Sequence, residues 1–305
     1  MTPQIALAGS VDGAVLRAAG WSVRGSLRRT PYDDPADLVS YAGLADLIAD
    51  DGLHAVCLDG GDPATARHLP ALLGRALHVL LPTPAPLDGD LLRQARQEQG
   101  RSEVAVGLLQ RWEPWAVTVA AALPLVGTPV LQATIRGWPR GAAAAAELVD
   151  LARAWCGDVL SVVAAPGPLP ATSLGEGLPV AWALLHADGA TTLVSHGGGP
   201  PLARLSCAAA RLEAGPLGAR WQGGAELPLL PAPDRRDVPF AAPVPPGCPV
   251  GLLSSAVALA EAALTGEVDV ARWPWPADLG DLQAIAAVLA ALRESARREA
   301  AVRVG

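Results

Sequence analysis

Glu147 and Asp150 stand three residues apart within the alanine-rich run 142–156, a spacing that puts both carboxylates on one face if the run is helical. Two carboxylates facing one site can do acid/base chemistry. Burying such a pair raises the pKa of one member, which makes Glu147 a candidate general base with Asp150 beside it. The competing reading pairs Asp150 with Arg153 or another arginine and leaves Glu147 in solvent. Other chemistry is restricted by what the chain lacks. All 23 basic residues are arginine, and neither lysine nor asparagine occurs. Schiff-base catalysis, a G-K-[ST] phosphate loop and a lysine general acid are therefore excluded. Ser195-His196 and Ser206-Cys207 lack the elbow or spacing of a nucleophilic triad. The four cysteines, Cys57, Cys156, Cys207 and Cys248, show no C-x-x-C pair, so reduced buried thiols are expected and no metal site.

The elements that must position these groups begin with Ile5-Ala6-Leu7-Ala8, a short apolar strand, followed by Gly9-Ser10-Val11-Asp12-Gly13 and a helical stretch from Ala14. Strand, glycine turn and helix in that order form a dinucleotide-binding entry when the turn reads G-x-G-x-x-G. Here the three positions hold Gly9, Val11 and Ala14, and Val11 stands where a pyrophosphate comes closest. Gly13 relieves this if the turn is re-registered, with Asp12 then facing the anion. The next strand, Trp21 to Leu27, lacks the acidic residue that would hold a ribose diol and runs into Arg28-Arg29. Two arginines there suit a 2′-phosphate, hence NADP rather than NAD; the alternative is two solvated side chains. A helix is expected over Asp37–Asp50, a strand over Leu53–Leu58 and a helix over Ala64–Leu73. His54 and His68 read as scaffold histidines.

His78-Val79-Leu80-Leu81 has the character of a strand buried on both faces, and Pro82, Pro84 and Pro86 end it. The carboxyl end of a parallel strand is where an open α/β sheet places its ligand. A polar helix over Asp88–Gln99, a strand at Val104–Gly107 and a turn at Arg111-Trp112-Glu113-Pro114-Trp115 follow.

The succession GLADLIADDGLHAVCLD, HVLLPTPAPL, VAVGLLQRWEPW resembles the Gfo/Idh/MocA family of NAD(P)-dependent oxidoreductases. The third block of that family has the form V-G-x-x-x-R-F-x-P, matched here by Val106-Gly107, Arg111-Trp112 and Pro114. The resemblance implies an α/β fold: an N-terminal Rossmann-like parallel-sheet domain over residues 1–115 and a C-terminal α+β domain with a large, mostly antiparallel sheet over 116–305, closed by 278–304. It also implies cofactor contacts from Gly9, Ser10, Val11, Gly13, Arg28, Arg29, Pro84 and Arg111. The family's catalytic E-K-P motif aligns with Pro82-Thr83-Pro84, so Thr83 stands at the lysine. On its D-x-G-x-H-x-x-D helix only Asp150 matches, with Glu147 at the histidine and Ala143 at the first aspartate, and Thr65 replaces an earlier histidine. Independent losses at the lysine, histidine, ribose and glycine positions imply a family member impaired in catalysis, acting as a binding or regulatory protein. The alternative is a working NADP-dependent oxidoreductase on a sugar or polyol, using Glu147 or a substrate-assisted route.

In the second half, strands are expected over Pro129–Trp138, Val159–Ala165, Pro179–His186, Ala190–His196, Pro200–Leu212 and Pro216–Gln222, with helices over Ala142–Cys156, Val250–Leu264 and Asp278–Arg298 and a last strand over Ala301–Val304. Asp188-Gly189 reads as a hairpin turn. Ala225–Gly247, with seven prolines, reads as a loop or strap. Nine tryptophans against one phenylalanine and two tyrosines are expected mainly in the core or at an oligomer contact, with Trp112, Trp115 and Trp138 near the expected cleft. A net charge of −7 excludes a nucleic-acid or anionic-membrane surface as the main partner. No apolar run approaches the ~20 residues of a membrane span, and a cytoplasmic homo-oligomer, paired through the second domain's sheet and taking a small-molecule ligand, is expected.

Overall fold

The computed structural model describes residues 2–8, 13–27, 38–59, 63–82, 88–126, 128–138, 142–165, 181–196, 200–216, 218–222, 250–267 and 277–305. By contact the chain divides into two units, Met1–Leu109 with Arg235–Gln283, and Gln110–Asp234 with Ala284–Gly305. The polypeptide thus returns to the first unit after building most of the second.

The first unit holds a six-stranded sheet made from β1 (Gln4–Ala8), β2 (Ser22–Ser26), β3 (Val39–Ser40), β4 (Ala55–Leu58), β5 (His78–Leu81) and β6 (Val104–Val106). Their order is β3-β2-β1-β4-β5-β6 and every pairing is parallel. Ile5–Ala8 and Ala55–Leu58 are buried throughout, as strands covered on both faces require. The helices of this unit are α1 (Gly13–Ala18), α2 (Leu44–Ile48), α3 (Pro63–Ala66), α4 (Leu69–Gly74) and α5 (Gly89–Glu98). Asp88 caps α5 by accepting the Asp90 amide.

Two expectations fail here for local reasons. The segment read as one helix over Asp37–Asp50 contains strand β3 before α2 begins at Leu44. Val39 is β-branched, and Gly25 lets β3 approach β2: a Cβ on Gly25 would lie 2.3 Å from the Val39 carbonyl oxygen. Behind β3, Asp50 accepts hydrogen bonds from the Arg24 guanidinium, the Tyr41 hydroxyl and the Gly52 amide. Arg24 foremost holds the Asp50 carboxyl down at about 2, while burial and Asp50 push the Tyr41 phenol up to about 12. The helix read over Ala64–Leu73 is likewise two, because Pro70 has no amide to bond backward and sits instead in the first turn of α4.

The second unit is built on an eight-stranded sheet from β7 (Val130–Trp138), β8 (Val159–Ala164), β9 (Ala181–His186), β10 (Thr191–His196), β11 (Leu202–Cys207), β12 (Arg211–Gly215), β13 (Gly218–Gln222) and β14 (Val302–Arg303). Its order is β13-β12-β11-β7-β10-β9-β8-β14, with β7 and β10 parallel and the other pairs antiparallel. Helices α6 (Pro114–Val126) and α7 (Ala142–Cys156) contact one face. The expected single strand over Pro200–Leu212 is β11 and the start of β12, turned where the Cys207 amide donates to the Ala210 carbonyl. That turn is Ala208-Ala209-Ala210, without the Gly, Pro, Asn or Asp that marks turns in sequence. Gly189 adopts φ +89° in the β9–β10 hairpin, as Asp188-Gly189 implied.

Helices α8 (Val250–Thr265) and α9 (Leu279–Arg298) follow. In the first unit, α8 packs on β5 and β6, and the buried Trp21 indole donates to the Ala256 carbonyl at 2.8 Å. Among the described residues no helix is long and apolar enough to cross a membrane. The proline-rich 225–247 lies outside the described residues.

Candidate functional site

In the first unit the chain runs outward from β1 through β2 to β3, then returns past β1 to β4, β5 and β6. The crevice at the carboxyl ends of β1 and β4 is the position at which open α/β sheets bind ligands. The described residues there are Ala8, Asp59, Ser26 and Leu27, together with Gly13 at the start of α1. Ser26, buried at the end of β2, is a hydroxyl where a ribose-binding sheet of this type carries a carboxylate. Gly9, Ser10, Val11, Arg28, Arg29, Thr83 and Pro84 lie outside the described residues.

The exit of β5 is crowded by backbone. The Gly107 amide donates to the Leu81 carbonyl at 2.7 Å, and a Cβ on Gly107 would lie 2.4 Å from the Pro82 carbonyl oxygen. Glycine is thus required in the V-G-x-x-x-R block by the approach of two main chains just before Thr83.

In the second unit α7 presents Glu147 and Asp150 to the 3-10 turn Leu109–Trp112. Asp150 is wholly buried and takes a two-pronged ion pair from Arg111, Nε to Oδ2 and Nη2 to Oδ1, both at 2.5 Å. Glu147 is 7% exposed, and its Oε2 accepts the Gln110 amide at 3.0 Å. The two carboxylates and Arg111 are therefore brought together, as the spacing allowed. Their shared arrangement fixes the turn to α7, a fork-to-fork geometry that specifies orientation as well as energy. Asp150 pairs with an arginine, Arg111, and Arg153 reaches Asp158. Glu147 is buried, where the competing reading of the sequence had it in solvent. Beside them, the buried Trp115 and Trp155 meet edge to face with ring centroids 5.9 Å apart.

His186 was not singled out by sequence. It is fully buried, with Nδ1 2.7 Å from the Gly157 carbonyl oxygen and Nε2 2.8 Å from Thr192 Oγ1, which in turn lies 3.7 Å from Cys156 Sγ. A carbonyl can only accept, so Nδ1 carries the proton and Nε2 accepts from Thr192. The hairpin signal at Asp188-Gly189 places His186 and Thr192 on adjoining strands, but nothing in the sequence marks Gly157 as the third partner. Burial foremost lowers the His186 pKa, partly opposed by Gly157, Asp188 and Asp158, and it pushes the Cys156 thiol up to about 11. His78 is lowered by the same cause and by His54. Each of these two histidines accepts a backbone amide at Nδ1, His54 from Gln4 and His78 from Glu103. Since the folded pKa of His186 lies below the unfolded value of about 6.5, the stability it contributes is present above that pH and is lost as pH falls toward the folded pKa. Urea midpoints are expected to fall between about pH 7 and pH 5.5, and the fall to be shallower in His186→Gln.

Cys57, Cys156 and Cys207 are buried and free. Among the described residues no group of three or more His, Cys, Asp or Glu could hold a metal ion.

No family model matches the chain. Over 102 residues it is 37% identical to inositol 2-dehydrogenase of Rubrobacter xylanophilus, a match covering 32% of this chain and 28% of that protein's length. Levoglucosan dehydrogenase, solved in complex with NADH and levoglucosan, superposes with a TM-score of 0.73 at 15% identity and full coverage of both chains. The aldose-aldose oxidoreductase of Caulobacter crescentus, complexed with glycerol, gives 0.74 at 14% identity over 99% of this chain and 100% of that one. At these identities the likeness concerns fold. The chain has the two-sheet fold of these two solved structures, a levoglucosan dehydrogenase and an aldose-aldose oxidoreductase.

Proposed function

We propose that the chain binds a nicotinamide dinucleotide in its first domain, residues 1–115, and has lost the family's lysine-dependent hydride transfer. The observation that carries this is the engagement of Glu147 and Asp150 by the Leu109–Trp112 turn: in a chain with no lysine, its two acid/base candidates are already holding a structural element. The site fits the cofactor in strand order and in the close main-chain approach at Gly107. Gly9, Ser10, Val11 and Gly13 would face the pyrophosphate and Pro84 the nicotinamide side, whereas Arg111 is committed to Asp150. Ser26 in place of a carboxylate, followed by Arg28 and Arg29, favours NADP over NAD. When bound, the cofactor supplies a hydride acceptor or donor; the residues of this chain supply its placement.

Titration of the purified protein with NADPH and NADH, followed by nicotinamide fluorescence, is expected to show saturable binding, tighter for NADPH, with no turnover across sugars and polyols. Absence of binding by either nucleotide removes the cofactor from the proposal. Turnover that disappears in Glu147→Gln establishes instead the working NADP-dependent enzyme with Glu147 as base.

The second domain, 116–305, is proposed to take the small-molecule ligand and to pair two copies in the cytoplasm. Leu131, Leu160, Val163, Leu185 and Leu193 are exposed on strands β7 to β10, an apolar area that a second copy would cover. Leu185→Glu with Leu193→Glu is expected to halve the mass measured by sedimentation, and an unchanged mass would place the contact elsewhere.

A further inference from the structure

The open face of the eight-stranded sheet is divided along its width. One cross-strand row runs Arg220, Glu213, Arg204, Thr134, Leu193, Ala183, Val163 from β13 to β8, each residue in register with the next. Arginine occupies one end of the row and apolar side chains the other. On the strands at the arginine end, alternation places Arg136 on β7 and Arg211 on β12 on the same face, opposite the buried Ile135 and Leu212. Four exposed arginines therefore stand around one glutamate, in a chain whose net charge is −7.

Glu213 does not satisfy them. Arg204 Nε reaches its Oε2 at 2.6 Å, and the charges of Arg220 and Arg136 also help hold its carboxyl below the usual range. Arg204 is 44% and Glu213 31% exposed, so the pair is solvated, contributes little and can exchange partners. Neighbouring strands lie about 4.8 Å apart, which sets Arg204 and Arg220 about 10 Å from each other on either side of Glu213. Arg136, Arg204 and Arg211 lie on a diagonal, each one strand and two residues from the next and so about 8 Å apart, close to the roughly 7 Å between alternate residues of an extended chain, so carboxylates at alternate positions of a peptide laid along it meet successive guanidinium groups.

We propose that Arg136, Arg204, Arg211 and Arg220 form a docking surface for an acidic polypeptide segment. Gln132, Thr134 and Ser206, standing between the arginines, offer donors and acceptors to a peptide main chain. A chain of net negative charge repels a polyanion at long range, whereas a short acidic segment reaches the arginines inside a screening length of about 8 Å. The surface adjoins, at β7, the apolar half assigned to a second copy and does not depend on nicotinamide binding.

The test is fluorescence anisotropy of a labelled alternating Glu-Ser peptide added to the purified full-length chain, with an alternating Lys-Ser peptide and an oligothymidine as comparisons. Saturable binding of the acidic peptide is expected, weakened about tenfold by Arg204→Glu with Arg220→Glu and unchanged by Leu185→Glu. Raised salt should weaken it as well. Should the charge-reversed protein fail to fold, Arg220→Gln and Arg136→Gln are each expected to weaken binding in the same direction. Absence of saturable binding, equal affinity in the arginine variants, or oligothymidine binding as tightly as the peptide overturns the proposal. A fall in sedimenting mass on charge reversal, without peptide binding to the wild type, also overturns it and assigns the arginines to a contact between copies.

Discussion

Asp150→Ala is expected to destabilise the protein by about 3–5 kcal/mol, read as a lower urea midpoint at unchanged slope. The cost arises from what remains, since Arg111, only 11% exposed, would keep its charge largely out of water and lose its two-pronged partner. Removing both charges is expected to cost far less: Arg111→Met with Asp150→Leu should recover most of the loss, because the pair offsets its own desolvation rather than adding a large net stabilisation. If single and double variants are equally unstable, the contribution of Asp150 lies in packing. Arg111→Lys should be intermediate, because an ammonium keeps the charge but cannot reproduce the fork. If Glu147 were a base for substrate, these variants would also shift its placement through the shared turn, so turnover, where any is found, should fall together with stability.

Gly107→Ala is the second large effect. The added methyl would fall 2.4 Å from a carbonyl oxygen of Pro82, a backbone atom that cannot rotate away as a flexible side-chain terminus would. Relief requires moving the end of β5 or β6, at a cost of about 1–3 kcal/mol for an overpacked interior. Because that movement occurs at the strand exit that leads to Thr83, weaker NADPH binding is expected along with lower stability. Full nucleotide affinity in a destabilised Gly107→Ala protein would separate the β5 exit from the cofactor site.

Both sheets were legible in the sequence because their strands follow two simple rules. Val79–Leu81 and Ala55–Leu58 are unbroken apolar runs, the pattern of strands covered on both faces, and β9 and β10 alternate buried and open positions around a glycine hairpin. What failed was local and context-dependent. Nothing in Val39-Ser40 distinguishes it from the helix that follows except that Gly25, far away in sequence, leaves room for its backbone. The alanine turn at 208–210 exists because β11 and β12 pair, not because alanine turns. At the candidate site the spacing of Glu147 and Asp150 identified the pair and its common face. Their partners could not be read, because a 3-10 turn that offers one backbone amide and one guanidinium has no period. His186 escaped notice for a similar reason: its closest acceptor is a carbonyl oxygen, which every residue possesses.

The buried hydrogen bond from Trp21 to the Ala256 carbonyl joins residues 235 positions apart. On the ribosome, the first sheet is therefore synthesised long before the helix that covers β5 and β6 emerges. Until then β5 and β6 lack that cover, and contacts of such long sequence separation form slowly. A fragment ending near residue 115 would carry all six strands of the first sheet and still lack a wall. The last third of the chain thus governs when its first third can finish folding.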